Sequence, residues 1–120
     1  MKEFILLIRL GTTPFTAEQT ALLQQKWGKL TTTLRAENKF ADGYVFSGEG
    51  YTLRGSDEVT VTPEIMLEDG RQAAGMVVIK AADMEEALQI ARQCPPLAFG
   101  GTVEVRERQP TPAPPPAAIN

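Results

Sequence analysis

The stretch that decides the fold is Ala82-Asp83-Met84-Glu85-Glu86-Ala87-Leu88-Gln89-Ile90-Ala91-Arg92-Gln93-Cys94-Pro95-Pro96, followed by Leu97-Ala98-Phe99-Gly100-Gly101-Thr102-Val103-Glu104-Val105-Arg106. Asp83 predicts a helix N-cap, with Glu86 at the capping-box position. Met84, Ala87, Leu88, Ala91 and Cys94 recur at helical spacing and predict the inner face. Pro95-Pro96 forbids continuation, since proline lacks the N–H a helix needs. Gly100-Gly101 predicts a turn. Residues 102–106 then alternate as a strand, with Val103 and Val105 facing in and Thr102, Glu104 and Arg106 facing away.

Working back towards the start, residues 72–81 predict a strand centred on Met76-Val77-Val78-Ile79. Residues 62–71 predict a loop or one irregular turn. Residues 51–54 and 58–61 predict a hairpin around Gly55-Ser56-Asp57. Residues 39–47 predict a strand, with Phe40, Asp42, Tyr44 and Phe46 on one face and Ala41, Gly43 and Val45 on the other. Asp42-Gly43 also fits a bulge. Thr16 and Gln19 form a capping box, with Glu18 in the first turn. Leu23, Trp27, Leu30 and Leu34 form a helical stripe that fades near residue 37. Residues 2–10 read as a strand apolar on both faces, so both faces require cover.

The order is strand, helix, strand with a hairpin insert, strand, helix, strand. This predicts an α+β fold: a ferredoxin-like β-α-β-β-α-β antiparallel sheet with both helices on one face. Ile5, Leu7, Phe40, Tyr44 and Phe46 would occupy the other face. Such a surface seldom stays in water. A second copy, sheet to sheet, gives a homodimeric α+β barrel, with an inter-subunit cleft for a small-molecule ligand. Residues 1–108 form the domain. Residues 109–120 hold five of nine prolines and predict a polyproline-like tail, either solvated or a ligand for a partner.

With 120 residues the chain suits one domain. A net charge of -3 argues against nucleic acid and an anionic membrane surface. No apolar run reaches the ~20 residues of a membrane span. The single cysteine excludes an internal disulfide and fits a reducing cytoplasm. There is no histidine, the commonest general base and metal ligand. No cofactor or metal is expected. Glu64, Glu68 and Asp69 match no calcium loop, and Gly48-Glu49-Gly50 lacks the rest of a phosphate loop.

Phe4-Ile5-Leu6-Leu7-Ile8-Arg9, Lys26-Trp27-Gly28, Lys39-Phe40-Ala41-Asp42-Gly43 and the block from Cys94 to Arg106 resemble the YCII-related proteins, the DGPF-domain branch in particular. The resemblance spans residues 2–106. It implies a dimeric α+β barrel and a site built on a His–Asp pair. That pair cannot form here, because the chain has no histidine. The Asp-Gly-Pro-Phe loop is replaced by Val61-Thr62-Pro63-Glu64-Ile65. The family's inner aspartate corresponds to Asp42.

Arg9, Asp42, Tyr44, Glu104 and Arg106 project from the face opposite the helices, and adjacent first and last strands let Arg9 meet Glu104 or Arg106. These five are the candidate ligand-binding residues. Structural ion pairs fixing a dimer are the competing interpretation of the same charges. Trp27 reads as core, or as the cap of a pocket. Cys94 reads as a structural thiol at a helix C-terminus. Two functions stay open: a small-molecule-binding or accessory module without a His-based site, or a lyase- or isomerase-type enzyme with Asp42 as general base.

Overall fold

The computed structural model describes residues 1–110. The tail expected at residues 109–120 therefore lies, from residue 111 on, outside the described residues. The elements are β1 (Lys2–Gly11), α1 (Ala17–Ala36), β2 (Phe40–Val45), β3 (Thr52–Arg54), β4 (Thr60–Thr62), β5 (Leu67–Glu68), β6 (Arg71–Ala81), α2 (Met84–Ala91) and β7 (Thr102–Glu107). A 3-10 turn, Pro95–Phe99, links α2 to β7.

The main sheet runs β2-β6-β1-β7, every pairing antiparallel. Both helices pack on one face of it. Phe4, Leu6, Ile79 and Ala81 from the strands meet Leu30 and Leu34 of α1 and Ala87, Ile90 and Ala91 of α2. Val103 and Val105 close the core from β7, as the alternation required. Among the described residues, no helix is long and apolar enough to cross a membrane.

Local chemistry sets the helix ends. The Thr16 hydroxyl accepts from the Gln19 N–H while the Gln19 side chain accepts from the Thr16 N–H, satisfying two donors that the first turn leaves free. Asp83 caps α2 by accepting from the Glu86 N–H at 2.9 Å. The Glu86 carboxylate reaches back one residue further, to the Ala82 N–H. It also lies 3.5 Å from the Lys39 ammonium, joining α2 to the start of β2.

Three expectations are corrected. Phe40 does not lie on the open face: it packs against the core on the helix side, beneath the Arg35 guanidinium. The register of β2 shifts between Phe40 and Asp42, so Ala41 is bulged and the alternation resets there. Phe46, past the end of β2, lines the space under α1 instead. The inner face of α2 is Ala87, Ile90, Ala91 and Cys94, whereas Met84 and Leu88 are both 40% exposed. Two alanines let this helix sit close to the sheet, and its stripe is rotated about one residue from the expected one. The segment 62–71 is no plain loop: β5 pairs with β6 through a tight Asp69-Gly70 turn, both residues at positive φ.

Cys94 is 3% exposed, and burial pushes its thiol up to about 11. The thiolate, the reactive form, is therefore scarce at neutral pH. Iodoacetamide at pH 8 is expected to leave Cys94 unmodified in the native protein and to modify it in denaturant, read by intact mass. Labelling at the rate of a free thiol in the native state would show that this end of α2 opens.

Candidate functional site

The face of the sheet away from the helices has an apolar centre and a charged margin. Ile5 and Leu7 of β1 stand opposite Val78 and Met76 of β6. On the β7 side, Glu104 pairs with Leu7 and Arg106 with Ile5 across the strands. On the β2 side, Asp42 stands opposite Val78 and Tyr44 opposite Met76. The five residues singled out from the sequence thus share this face, but they fall into two groups with the apolar centre between them.

In the first group, Arg9 donates to Glu104 at 2.8 Å, and Arg106 approaches the other Glu104 oxygen at 3.5 Å. The Arg9 hydrogen bond is the main cause of a Glu104 pKa below its ordinary 4.5. In the second group, the Tyr44 hydroxyl donates to Asp42 at 2.6 Å and the Gly43 N–H donates to the other oxygen at 2.8 Å. Tyr44 first, then Gly43, holds the Asp42 carboxyl below its ordinary 3.8, and the same contact raises Tyr44 above 10.0. Both carboxylates are ionised more readily folded than unfolded. What they contribute to stability is present above their ordinary pKa values and is lost as pH falls through the lowered ones. Both groups are open to solvent, so that contribution is small.

Two shallow grooves result. One, about 820 Å³, holds Arg9, Glu104 and Arg106 beside Ile5, Leu7 and Met76. The other, about 410 Å³, holds Asp42 and Tyr44 beside Ile5, Met76 and Val78. Arg108 borders both, and its guanidinium pairs with Glu3. Glu3 and Arg108 thus join the five residues expected from the sequence. The signal for them is the same alternation: Glu3 continues the Ile5-Leu7-Arg9 series and Arg108 continues Glu104-Arg106, each two residues on.

The remaining candidates are placed as follows. Trp27 is partly buried against the core. Glu64 pairs with Arg54 at 2.8 Å and Asp69 with Arg71 at 3.0 Å. Among the described residues no group of three or more Asp, Glu or Cys side chains could hold a metal ion. Comparison with known proteins finds no family model that matches the chain and no curated protein that matches it.

Proposed function

We propose that the chain is the subunit of a homodimer in which two open sheet faces pack together, and that the cleft between them binds a small molecule. In this reading the subunit is ferredoxin-like and the assembly is a dimeric α+β barrel of the YCII-related, DGPF-domain kind, working in the cytoplasm. The observation that carries it is the apolar strip of half-buried Ile5, Leu7 and Met76 over buried Val78, which no helix among the described residues covers and which charged groups edge. Stable protein interfaces have that plan, an apolar core within a polar rim. The strand order β2-β6-β1-β7 with both helices on the far side supports the subunit assignment.

The margin suits binding better than proton transfer. Asp42 and Glu104 are held as carboxylates by donors of their own subunit. Arg9, Asp42, Tyr44, Glu104 and Arg106 therefore offer fixed charges and hydrogen-bonding edges to a ligand without reorganisation. A general base works best with a pKa near the operating pH. Asp42 is displaced away from it and Tyr44 is raised, so the lyase or isomerase alternative gains no support from this pair.

Native mass spectrometry on gently purified protein tests the proposal. A dimer carrying extra non-covalent mass is the expected result. Bare dimers would leave an accessory or structural role, and monomers at micromolar concentration would overturn the reading.

A further inference from the structure

A second cavity lies on the other side of the sheet, under α1. It has a volume of about 620 Å³, within the range of small-molecule sites. Ile8, Leu23, Trp27, Phe40 and Phe46 make it largely apolar, and Arg35 stands at its margin. We propose that this cleft binds a small apolar monocarboxylate, with the carboxylate on Arg35 and the hydrocarbon body against Trp27 and Phe46.

The cavity is built into the packing. Helix α1 buries only Leu30 and Leu34, in its C-terminal half. Towards its N-terminus it presents Leu23 and Trp27, which no strand side chain fully covers. The strands beneath contribute Gly43 and Gly75, which have no side chain to fill the space. Gly75 cannot be enlarged to close the gap, because a Cβ there would lie 2.5 Å from the Tyr44 carbonyl oxygen. Atoms facing a void lose their dispersion partners. An apolar body inserted there supplies them.

Charge decides which kind of apolar molecule. Seven of the twelve lysines and arginines make ion pairs among the described residues, and Arg35 is not one of them. Its guanidinium carbon sits 4.7 Å from the centre of the Phe40 ring. A cation–π contact with the ring face consumes no hydrogen-bond acceptor, so the guanidinium N–H groups remain for a partner. They match a carboxylate in bidentate fashion. The other polar lining groups are Thr20, Gln24, Thr31 and Tyr44, whose hydroxyl is held by Asp42, and no Asp or Glu lines the cavity. The C-terminal end of α1 opposes an anion, but that effect is weaker than a charge-assisted bidentate pair.

Trp27 is the only tryptophan, so its fluorescence reports this cleft alone. Titration of the full chain with octanoate is expected to give a saturable change in Trp27 emission. Octan-1-ol should bind about tenfold more weakly, the loss of one charge-assisted contact. Arg35→Gln should weaken octanoate by a similar factor and leave octanol unchanged, while Arg35→Lys should restore part of the loss. No saturable change below the micellar concentration would overturn the proposal. So would octanoate binding indifferent to Arg35→Gln but lost in Lys29→Gln, which would put the anion in the adjacent groove of Lys26, Lys29 and Arg92. Tyr44 and Met76 border both the cleft and the proposed dimer face, but Trp27 and Arg35 line the cleft alone. Sedimentation of the same samples therefore reads the two proposals separately.

Discussion

In the proposed sheet-to-sheet dimer, Leu7→Glu is expected to leave a folded monomer, weakening self-association roughly a thousandfold or more. Leu7 sits in the centre of the open face, flanked by Met76 on β6 and Glu104 on β7. In a two-fold interface each substitution counts twice. Two glutamates would be taken out of water without cationic partners, because Arg9, the cation nearest along β1, is already held by Glu104. The fold itself should survive, since Leu7 is only half-buried in the single subunit and takes no part in the core beneath the helices. Sedimentation velocity at micromolar concentration, with circular dichroism as the folding control, reads the outcome. An unchanged dimer would move the interface elsewhere. The first alternative would be the β3–β4 hairpin, whose paired Leu53 and Val61 are 61% and 57% exposed.

The face that carries this prediction was legible because side chains alternate along a strand with a period of two. Arg9 and Glu104 are 95 residues apart, yet alternation within each strand and adjacency of the first and last strands were enough to bring them together. Helix boundaries were legible for a different reason. Thr16, Gln19, Asp83 and Pro95-Pro96 act on backbone groups within four residues of themselves, so no tertiary knowledge was needed.

What failed to show in the sequence was long-range. A single bulged residue, Ala41, moves Phe40 to one face and leaves Asp42 and Tyr44 on the other. One residue of slip reverses the sidedness of everything beyond it, and the bulge that Asp42-Gly43 suggested lies one residue earlier, at Ala41. The rotation of α2 was hidden likewise. Met84, Ala87, Leu88 and Ala91 satisfy helical spacing as well as Ala87, Ile90, Ala91 and Cys94 do. Closeness of approach to β6 and β7 selects the second set. Asp69-Gly70, by contrast, is a readable hairpin signal, masked by surrounding acidic residues that resemble a loop.

Gly100 and Gly101, adjacent in sequence, are expected to respond to the same substitution very differently. Gly100 ends the 3-10 turn at φ 78, and a Cβ added there would have no neighbouring atom within 4 Å. Its requirement is conformational, and asparagine tolerates that region of the backbone map. Gly100→Asn should therefore cost about 1 kcal/mol or less. Gly101 meets a packing constraint instead. A Cβ there would stand 2.8 Å from the Arg9 carbonyl oxygen, 2.8 Å from Leu10 Cδ2 and 3.0 Å from the Pro96 carbonyl oxygen. Two of these three atoms are backbone, and the backbone cannot step aside without disturbing β1 or the turn that stops α2. The Gly101 N–H also donates to the Pro96 carbonyl at 2.9 Å, so displacement loses that bond too. Gly101→Asn should cost about 3 kcal/mol, at the upper end of overpacking losses. Urea unfolding of the two variants at equal protein concentration measures the difference. Equal losses would mean that β1 and the 3-10 turn yield to a side chain, and that the Gly-Gly pair serves the turn conformation alone.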